Sequence, residues 1–253
     1  MIVLPPMPPA QRAAWHALMD LHERMPTGWT MVGGQMVHLH CAERGRAPSR
    51  PTDDLDAAID VRADSRALAR FTGALRDLGF RPDGASWQGY EHRWVREPAS
   101  VDVLIPRGLR PSSRARRTVT GRQTIETYGA QQAVDRSASV PVLVDSRRGT
   151  IRRPSLLGAL VGKAAAIRIA GDPGSARHVH DFAVLATLVR SEDAVHAAGR
   201  RDREHLDNML GRMVTDTSWR SVDGAAEGVA RLRLALEPEP DARREPRPSS
   251  PWT

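Results

Sequence analysis

The sequence predicts a mixed α/β (α+β) fold: a mixed sheet with flanking helices over residues 1–153, followed by a helical domain over 154–236. Three observations predict it. Up to Asp145, short strand-like runs alternate with amphipathic helical stretches, the pattern of a sheet covered by helices. From Ser155 onward only helical spacing remains. Pro154 stands between the two, and proline favours element boundaries because it lacks an N–H and has a fixed φ.

The elements follow in order. Residues 10–25 set Ala14, Leu18, Leu21 and Met25 at helical spacing. Trp29–Val32 is a short strand that runs straight into Gly33-Gly34, and Gln35–Glu43 is a helix of about two turns. A turn-rich loop over Gly45–Pro51 leads to a strand at Leu55–Val61. Ser65–Leu78 is an amphipathic helix with Ser65 as its expected N-cap and Gly79 at its end. Tyr90–Val95 and Val101–Ile105 pair across a Glu97-Pro98 turn. Residues 106–122 are a basic loop, and Thr124–Tyr128 and Val140–Asp145 are further strands. Helices are expected over Leu156–Ala170, Ala176–Arg190, Arg203–Val214 and Asp223–Leu236. Residues 237–253, proline-rich and charged, read as a disordered tail.

Composition narrows the function. Hydrophobic residues make up 40% and charged residues 26%, so the chain can build a core. No apolar run approaches the ~18 residues of a membrane span, and the proline-rich start lacks the basic region of a signal peptide. A single cysteine, Cys41, excludes an internal disulfide framework and a multi-thiolate metal site, which fits a reducing cytoplasm. The net charge of +7 favours polyanionic partners. Of 37 basic residues only Lys163 is a lysine, so part of that charge reflects a general preference for arginine. Aromatic residues are 4% of the chain and unclustered, which argues against a base-stacking sheet.

The informative stretch is Met31–Asp56. Backbone without side chains at a helix start lets phosphate oxygens approach N–H groups, although Gly33-Gly34 also suits an ordinary strand-to-helix turn. Strand alternation sets Asp54 and Asp56 on one face and turns Leu55 into the core. Two carboxylates side by side suit a hard divalent cation, with a solvated acidic turn as the plainer alternative. Asp102 interrupts the apolar run Val101–Ile105, where a carboxylate needs either a cation or an arginine partner. Two carboxylates on one strand and a third nearby are the donors of a two-metal phosphoryl-transfer site. Lys163 lies among small and apolar residues, where a compact ammonium could hold a triphosphate or simply snorkel. Asp181 sits on an amphipathic helix as a base or a first-turn charge. His38, His40, His178 and His180 lack the spacing of a metal site, and Cys41 reads as a core residue. Arg114, Arg116 and Arg117 form a basic loop suited either to RNA phosphates or to solvent.

Together, Gly33-Gly34, Arg50-Pro-Thr-Asp-Asp-Leu-Asp56, Lys163 with Arg168, and Arg177…Asp181-Phe-Ala-Val-Leu185 carry a resemblance. From about residue 30 to 190 the chain resembles AbiEii-type nucleotidyltransferases, the toxin halves of AbiE-like and MenT-like type IV toxin–antitoxin pairs. These belong to the DNA polymerase β-like nucleotidyltransferase superfamily. The resemblance implies a nucleotidyltransferase-like sheet and Mg²⁺-dependent transfer of NMP from an NTP, with one or two metal ions. It implies that Gly33 and Gly34 cradle phosphates, with Arg50 and Thr52 beside the nucleotide, and that Asp54 and Asp56 ligate Mg²⁺. Lys163 would contact the triphosphate and Asp181 would belong to the active site; the wider superfamily adds Asp102 as a third ligand. The implied acceptor is an RNA, the tRNA 3′ end first, and the implied partner is a cognate antitoxin. The chain departs from the pattern at Arg177, where relatives carry lysine, and at the extra Asp53. Two rival functions fit the same residues: a small-molecule nucleotidyltransferase of the antibiotic-modifying kind, and a catalytically silent basic protein that binds nucleic acid or a partner.

Overall fold

A computed structural model describes residues 1–48, 50, 52, 54–110, 113–167 and 175–237. The expected tail beyond Glu237, the helix end at 168–170, Arg168 and Asp53 lie outside the described residues.

In chain order the elements are β1 (Ile2–Val3), α1 (Pro9–Arg24), β2 (Trp29–Val32), α2 (Gly33–Glu43), β3 (Leu55–Ile59) and α3 (Ala67–Asp77). There follow β4 (Arg81–Pro82), β5 (Arg93–Arg96), β6 (Ala99–Pro106), β7 (Ile125–Thr127), α4 (Ala130–Asp135), β8 (Ser137–Val144) and β9 (Arg147–Pro154). The helices α5 (Leu156–Ala166), α6 (Ser175–Thr187), α7 (Arg200–Thr215) and α8 (Ala225–Leu236) complete the chain.

The fold is mixed α/β, as the alternation of elements predicts. The main sheet runs β2-β3-β6-β5-β4, and β7 joins the edge of β6 beyond β5. β3 and β6 are parallel, whereas β2–β3 and β5–β6 are antiparallel. The eight-residue β6 is long enough to share one edge: β5 takes Ala99–Asp102 and β7 takes Leu104–Pro106. A second sheet, β1-β8-β9, closes on a tight turn with Asp145 at φ 51°. One buried apolar cluster runs from Leu18, Trp29, Leu55 and Val101 into Leu160, Phe182, Leu206 and Met209, on both sides of Pro154. No helix among the described residues is long and apolar enough to cross a membrane.

Several boundaries move for identifiable reasons. α2 begins at Gly33 rather than Gln35, because the glycines supply its first turn. α3 begins at Ala67, and Ser65 does not cap it; the Asp64 carboxylate instead accepts the Arg66 N–H at 2.8 Å. β9 and α4 escape the apolar patterns altogether. In β9 the deeply buried apolar anchor is Ile151, and arginines do the rest. Arg152 reaches the Trp29 carbonyl at 2.9 Å, while Arg147 and Arg153 pair with Asp20 and Glu43 at 2.5 Å. A periodicity search scores such a strand as polar loop.

Candidate active site

Register builds the acidic wall. The parallel pairing of β3 with β6 sets Asp56 beside Asp102, and the hairpin β5–β6 sets Arg93 on the other side of Asp102. Leu55 is fully buried between them, so Asp54 and Asp56 turn to the opposite side. Arg93 grips Asp102 with both arms, Nε to Oδ1 and Nη2 to Oδ2 at 2.8 Å each, and reaches Asp54 at 3.3 Å. One guanidinium thus binds two of the three carboxylates, and Asp56 is left without an ion-pair partner of its own among the described residues. Withdrawal of the Asp56 carboxyl from water, followed by the charge of Asp102, pushes its pKa up to about 7.

The glycines explain how Asp56 stays clear. Val32 is the register partner of Asp56, so the chain leaving β2 passes directly over that carboxylate. Gly33 has φ +72°, and a Cβ there would fall 1.8 Å from Asp56 Oδ2. A Cβ at Gly34 would stand 2.7 Å from Thr52 Oγ1. No side chain caps the first turn of α2, which opens toward the same space. Gln35 anchors the loop alongside: its Oε1 accepts from Gln11 at 2.7 Å and Trp15 at 3.2 Å, and its amide donates to the Thr52 carbonyl. One helical turn on, His38 Nε2 donates to the Arg50 carbonyl at 2.8 Å.

Opposite stands a wall of different character. Asp181 of α6, 2% exposed, accepts Lys163 Nζ of α5 at 2.6 Å. It also accepts the Nε and Nη2 of Arg50 at 2.7 Å each. Burial alone would raise this carboxyl, but Lys163 and Arg50 outweigh it and hold the pKa at about 2. Lys163 is 5% exposed and shares its side of α5 with Gly158, Ala159, Gly162 and Ala166, small residues that leave space above the ammonium. The two walls enclose a cavity of about 350 Å³.

No family model and no curated protein matches this chain. Among solved structures, an antigenic nucleotidyltransferase-like protein from Paracoccidioides brasiliensis is 14% identical over 84% of this chain and 93% of that one, at a TM-score of 0.47. The antibiotic-resistance factor ANT(2'')-Ia in solution is 12% identical over 83% and 96%, at 0.44. The same factor in complex with adenylyl-2''-tobramycin is 12% identical over 80% and 98%, also at 0.44.

Nine residues that the sequence offers for the site line the same cavity, Gly33, Gly34, Arg50, Thr52, Asp54, Asp56, Asp102, Lys163 and Asp181, and Arg177 and His178 line it too. The basic loop does not reach it. Arg116 pairs with Glu126 at 3.3 Å, Arg117 donates to the Gly121 carbonyl at 2.7 Å, and Arg114 is exposed. Cys41 is buried, and its thiol is pushed up to about 11 by that burial. Sequence reasoning missed Arg93, Gln35 and the Thr127–Gly129 segment that lines the cavity floor. Arg93 had a signal: the expected hairpin across Glu97-Pro98, taken residue by residue, sets it opposite Asp102. His38 and Gln35 had none, because a polar residue on a short helix says nothing of the carbonyl it will meet.

The donor chemistry fits a hard cation at Asp54 and Asp56, which offer only oxygen. The clearance at Gly33 is the observation behind that fit, since it leaves Asp56 Oδ2 unobstructed where a Cβ would fall 1.8 Å away; a nearby cation would also oppose the burial and the Asp102 charge that raise this carboxyl. Asp102 is different. Both of its oxygens are held by Arg93, and no group of three or more His, Cys, Asp or Glu is placed to hold a metal among the described residues. For Asp102 to be a third ligand, Arg93 must release it.

Proposed function

We propose that the chain is a nucleotidyltransferase that moves NMP from an NTP to an acceptor hydroxyl, releasing pyrophosphate. One observation carries this reading: a carboxylate wall and a cation wall face each other across a single cavity beside an uncapped helix start. A metal–triphosphate has the complementary charge pattern. Asp54 and Asp56 would hold Mg²⁺, which would supply charge stabilisation for the attacking and leaving oxygens. Gly33 and Gly34 let the phosphates approach the backbone. Lys163, held by Asp181, meets the charge that grows on the departing pyrophosphate, and Arg50 adds a second donor. Thr52 borders the nucleotide beside Gly34. The segment 154–236 acts as a helical domain that closes the site, since it contributes Lys163 and Asp181.

The finer reading is a toxin that modifies RNA, with the tRNA 3′ end as acceptor, a cognate antitoxin as partner and the cytoplasm as setting. It is supported by the motif resemblance at Gly33-Gly34, Asp54–Asp56, Lys163 and Asp181. Arg114 and Arg117 are then outer RNA contacts. Transfer of α-labelled NTP to total tRNA, with Mg²⁺ and with chelator, tests it. Label in RNA supports the finer reading, and label in an aminoglycoside-type small molecule supports the antibiotic-modifying alternative. No transfer to any acceptor would leave the chain a silent binder. Lys163→Ala and Lys163→Arg should both lose most transfer, the second because a planar fork does not fit the small-residue floor.

A further inference from the structure

We infer that a second cavity, beside the first, binds a phosphate group of the acceptor. The inference rests on the nucleotidyltransferase reading for the word acceptor, but not for the phosphate. This cavity measures about 390 Å³ and has Thr127, Tyr128 and Gly129 in common with the first, so the two flank one short segment. Its other walls carry Arg62, Arg107, Arg136 and Arg201, against Asp135 and Asp202.

The arginines come from four places in the chain. Arg62 follows the C-terminal end of β3, Arg107 follows that of β6, Arg136 ends α4, and Arg201 lies in the first turn of α7. Only Arg136 is neutralised there, by Asp202. Among the described residues, Arg62, Arg107 and Arg201 have no carboxylate partner. Arg62 donates to the Arg107 carbonyl at 3.0 Å, and the Arg107 guanidinium lies 4.4 Å from the centre of the Tyr128 ring. Those contacts fix two guanidinium groups without spending their charge. Asp135, the remaining acid, accepts from Gln131 at 2.7 Å.

Guanidinium groups that line one cavity, as the exposed Arg62, Arg107 and Arg201 do, repel one another, and an anion that accepts several N–H bonds at once would relieve the arrangement. Phosphate matches the guanidinium fork in shape and charge. The phosphates of the NTP have their own cations in the first cavity, Lys163 and Arg50. A phosphate in the second cavity therefore belongs to the molecule that receives the NMP. The same chemistry is offered by a nucleic-acid backbone and by a small phosphate ester, and the probes below separate them.

The test uses the full chain and two probes: a labelled 12-nucleotide RNA followed by anisotropy over a salt series, and ribose 5-phosphate followed by calorimetry. Wild type should bind at least one of them. The double variant Arg62→Gln/Arg201→Gln should weaken that binding by about tenfold and, for RNA, lower the salt slope by about 0.7, the value for one phosphate contact on a single strand. Arg62→Lys/Arg201→Lys should recover most of the loss, which a folding defect would not allow. NTP binding should be unchanged in both variants. The inference is overturned if wild type binds neither probe, if the Gln pair binds as wild type does, or if it loses NTP in the same proportion. If wild type binds RNA or the ester through these arginines but binds no NTP, the phosphate site stands and the nucleotidyltransferase reading falls.

Discussion

Two aspartates face the same cavity, and the protein treats them in opposite ways. Asp56 lies in a group of three carboxylates of which Arg93 binds only the other two, and its pKa is pushed up to about 7. Asp181 is a single carboxylate served by two cations, and its pKa is held at about 2. Both are withdrawn from water, so burial does not explain the difference; the local ratio of charges does. The cation wall pairs its buried carboxylate twice without any ligand. The acidic wall is short of positive charge, and a cation there would relieve it. On the proposed reading, this asymmetry would give a metal–triphosphate one orientation in the cavity.

The comparison breaks most visibly at Asp181. Asp181→Asn leaves the buried Lys163 without its counter-ion, which should cost about 3–5 kcal/mol in urea unfolding as well as most of the transfer activity. Lys163→Met should cost clearly less, because Arg50 still covers the carboxylate. Equal losses in the two variants would mean that the pair does not carry the stability assigned to it. The pH profile carries the same sign. With a native pKa near 2 and an ordinary value of 3.8, Asp181 stabilises the fold above about pH 4 and loses that contribution as pH falls toward 2.

Asp56→Asn should have the opposite profile. Between 3.8 and about 7 the native state holds a proton that the unfolded chain has released, so this group destabilises the metal-free protein as pH rises through that window. The Asn variant should therefore match wild type at pH 4 and exceed it at pH 8, by on the order of 1–2 kcal/mol after allowance for solvent screening. Added Mg²⁺ should raise the melting temperature of wild type at pH 8 and leave that of the variant unchanged. Transfer should be lost with the ligand. A variant less stable than wild type at pH 8 would show that the acidic wall is already balanced.

Gly33 sharpens the steric side of the comparison. Alanine there meets both a left-handed φ of +72° and the Asp56 oxygen at 1.8 Å, so Gly33→Ala should cost about 1–3 kcal/mol and displace the carboxylate. The cation wall needs no such clearance, and Gly162→Ala, whose Cβ would meet nothing within 4 Å, should fold normally. A Gly33→Ala protein with wild-type melting and Mg²⁺ response would remove the glycine from the site.

Much of this was legible in the sequence, and the division has a physical basis. Strands whose faces alternate, such as β3 and β6, announced themselves, and so did the Asp54/Asp56 pair that rides on the alternation. The lone lysine was visible against a background of arginines. What could not be read was any contact between distant parts of the chain. Arg50 and Asp181 are 131 residues apart and share a bidentate ion pair, and nothing local to either says so. β9 was hidden because arginine stems take the place of apolar side chains. The basic loop at Arg114–Arg117 drew attention by density alone, whereas the arginines that line the second cavity come singly from four places in the chain.

The smallest effect, and the finest test of the acidic wall, is expected at Arg93. It holds both oxygens of Asp102 and one of Asp54, and it is partly exposed, so Arg93→Gln should cost only about 1 kcal/mol in the metal-free protein. Its electrostatic consequence is more specific. Removing the guanidinium that binds Asp102 and Asp54 deepens the negative potential, and both oxygens of Asp102 become available to a metal. Mg²⁺ affinity, read from the melting shift at pH 8, should therefore rise by a few-fold. Arg93→Lys should lie between the variant and wild type, because an ammonium keeps the charge but cannot hold both oxygens. If Arg93→Gln instead weakens Mg²⁺, the guanidinium is orienting the carboxylates for the metal rather than competing with it. Asp102 would then act through Arg93, and the metal site would consist of Asp54 and Asp56 alone.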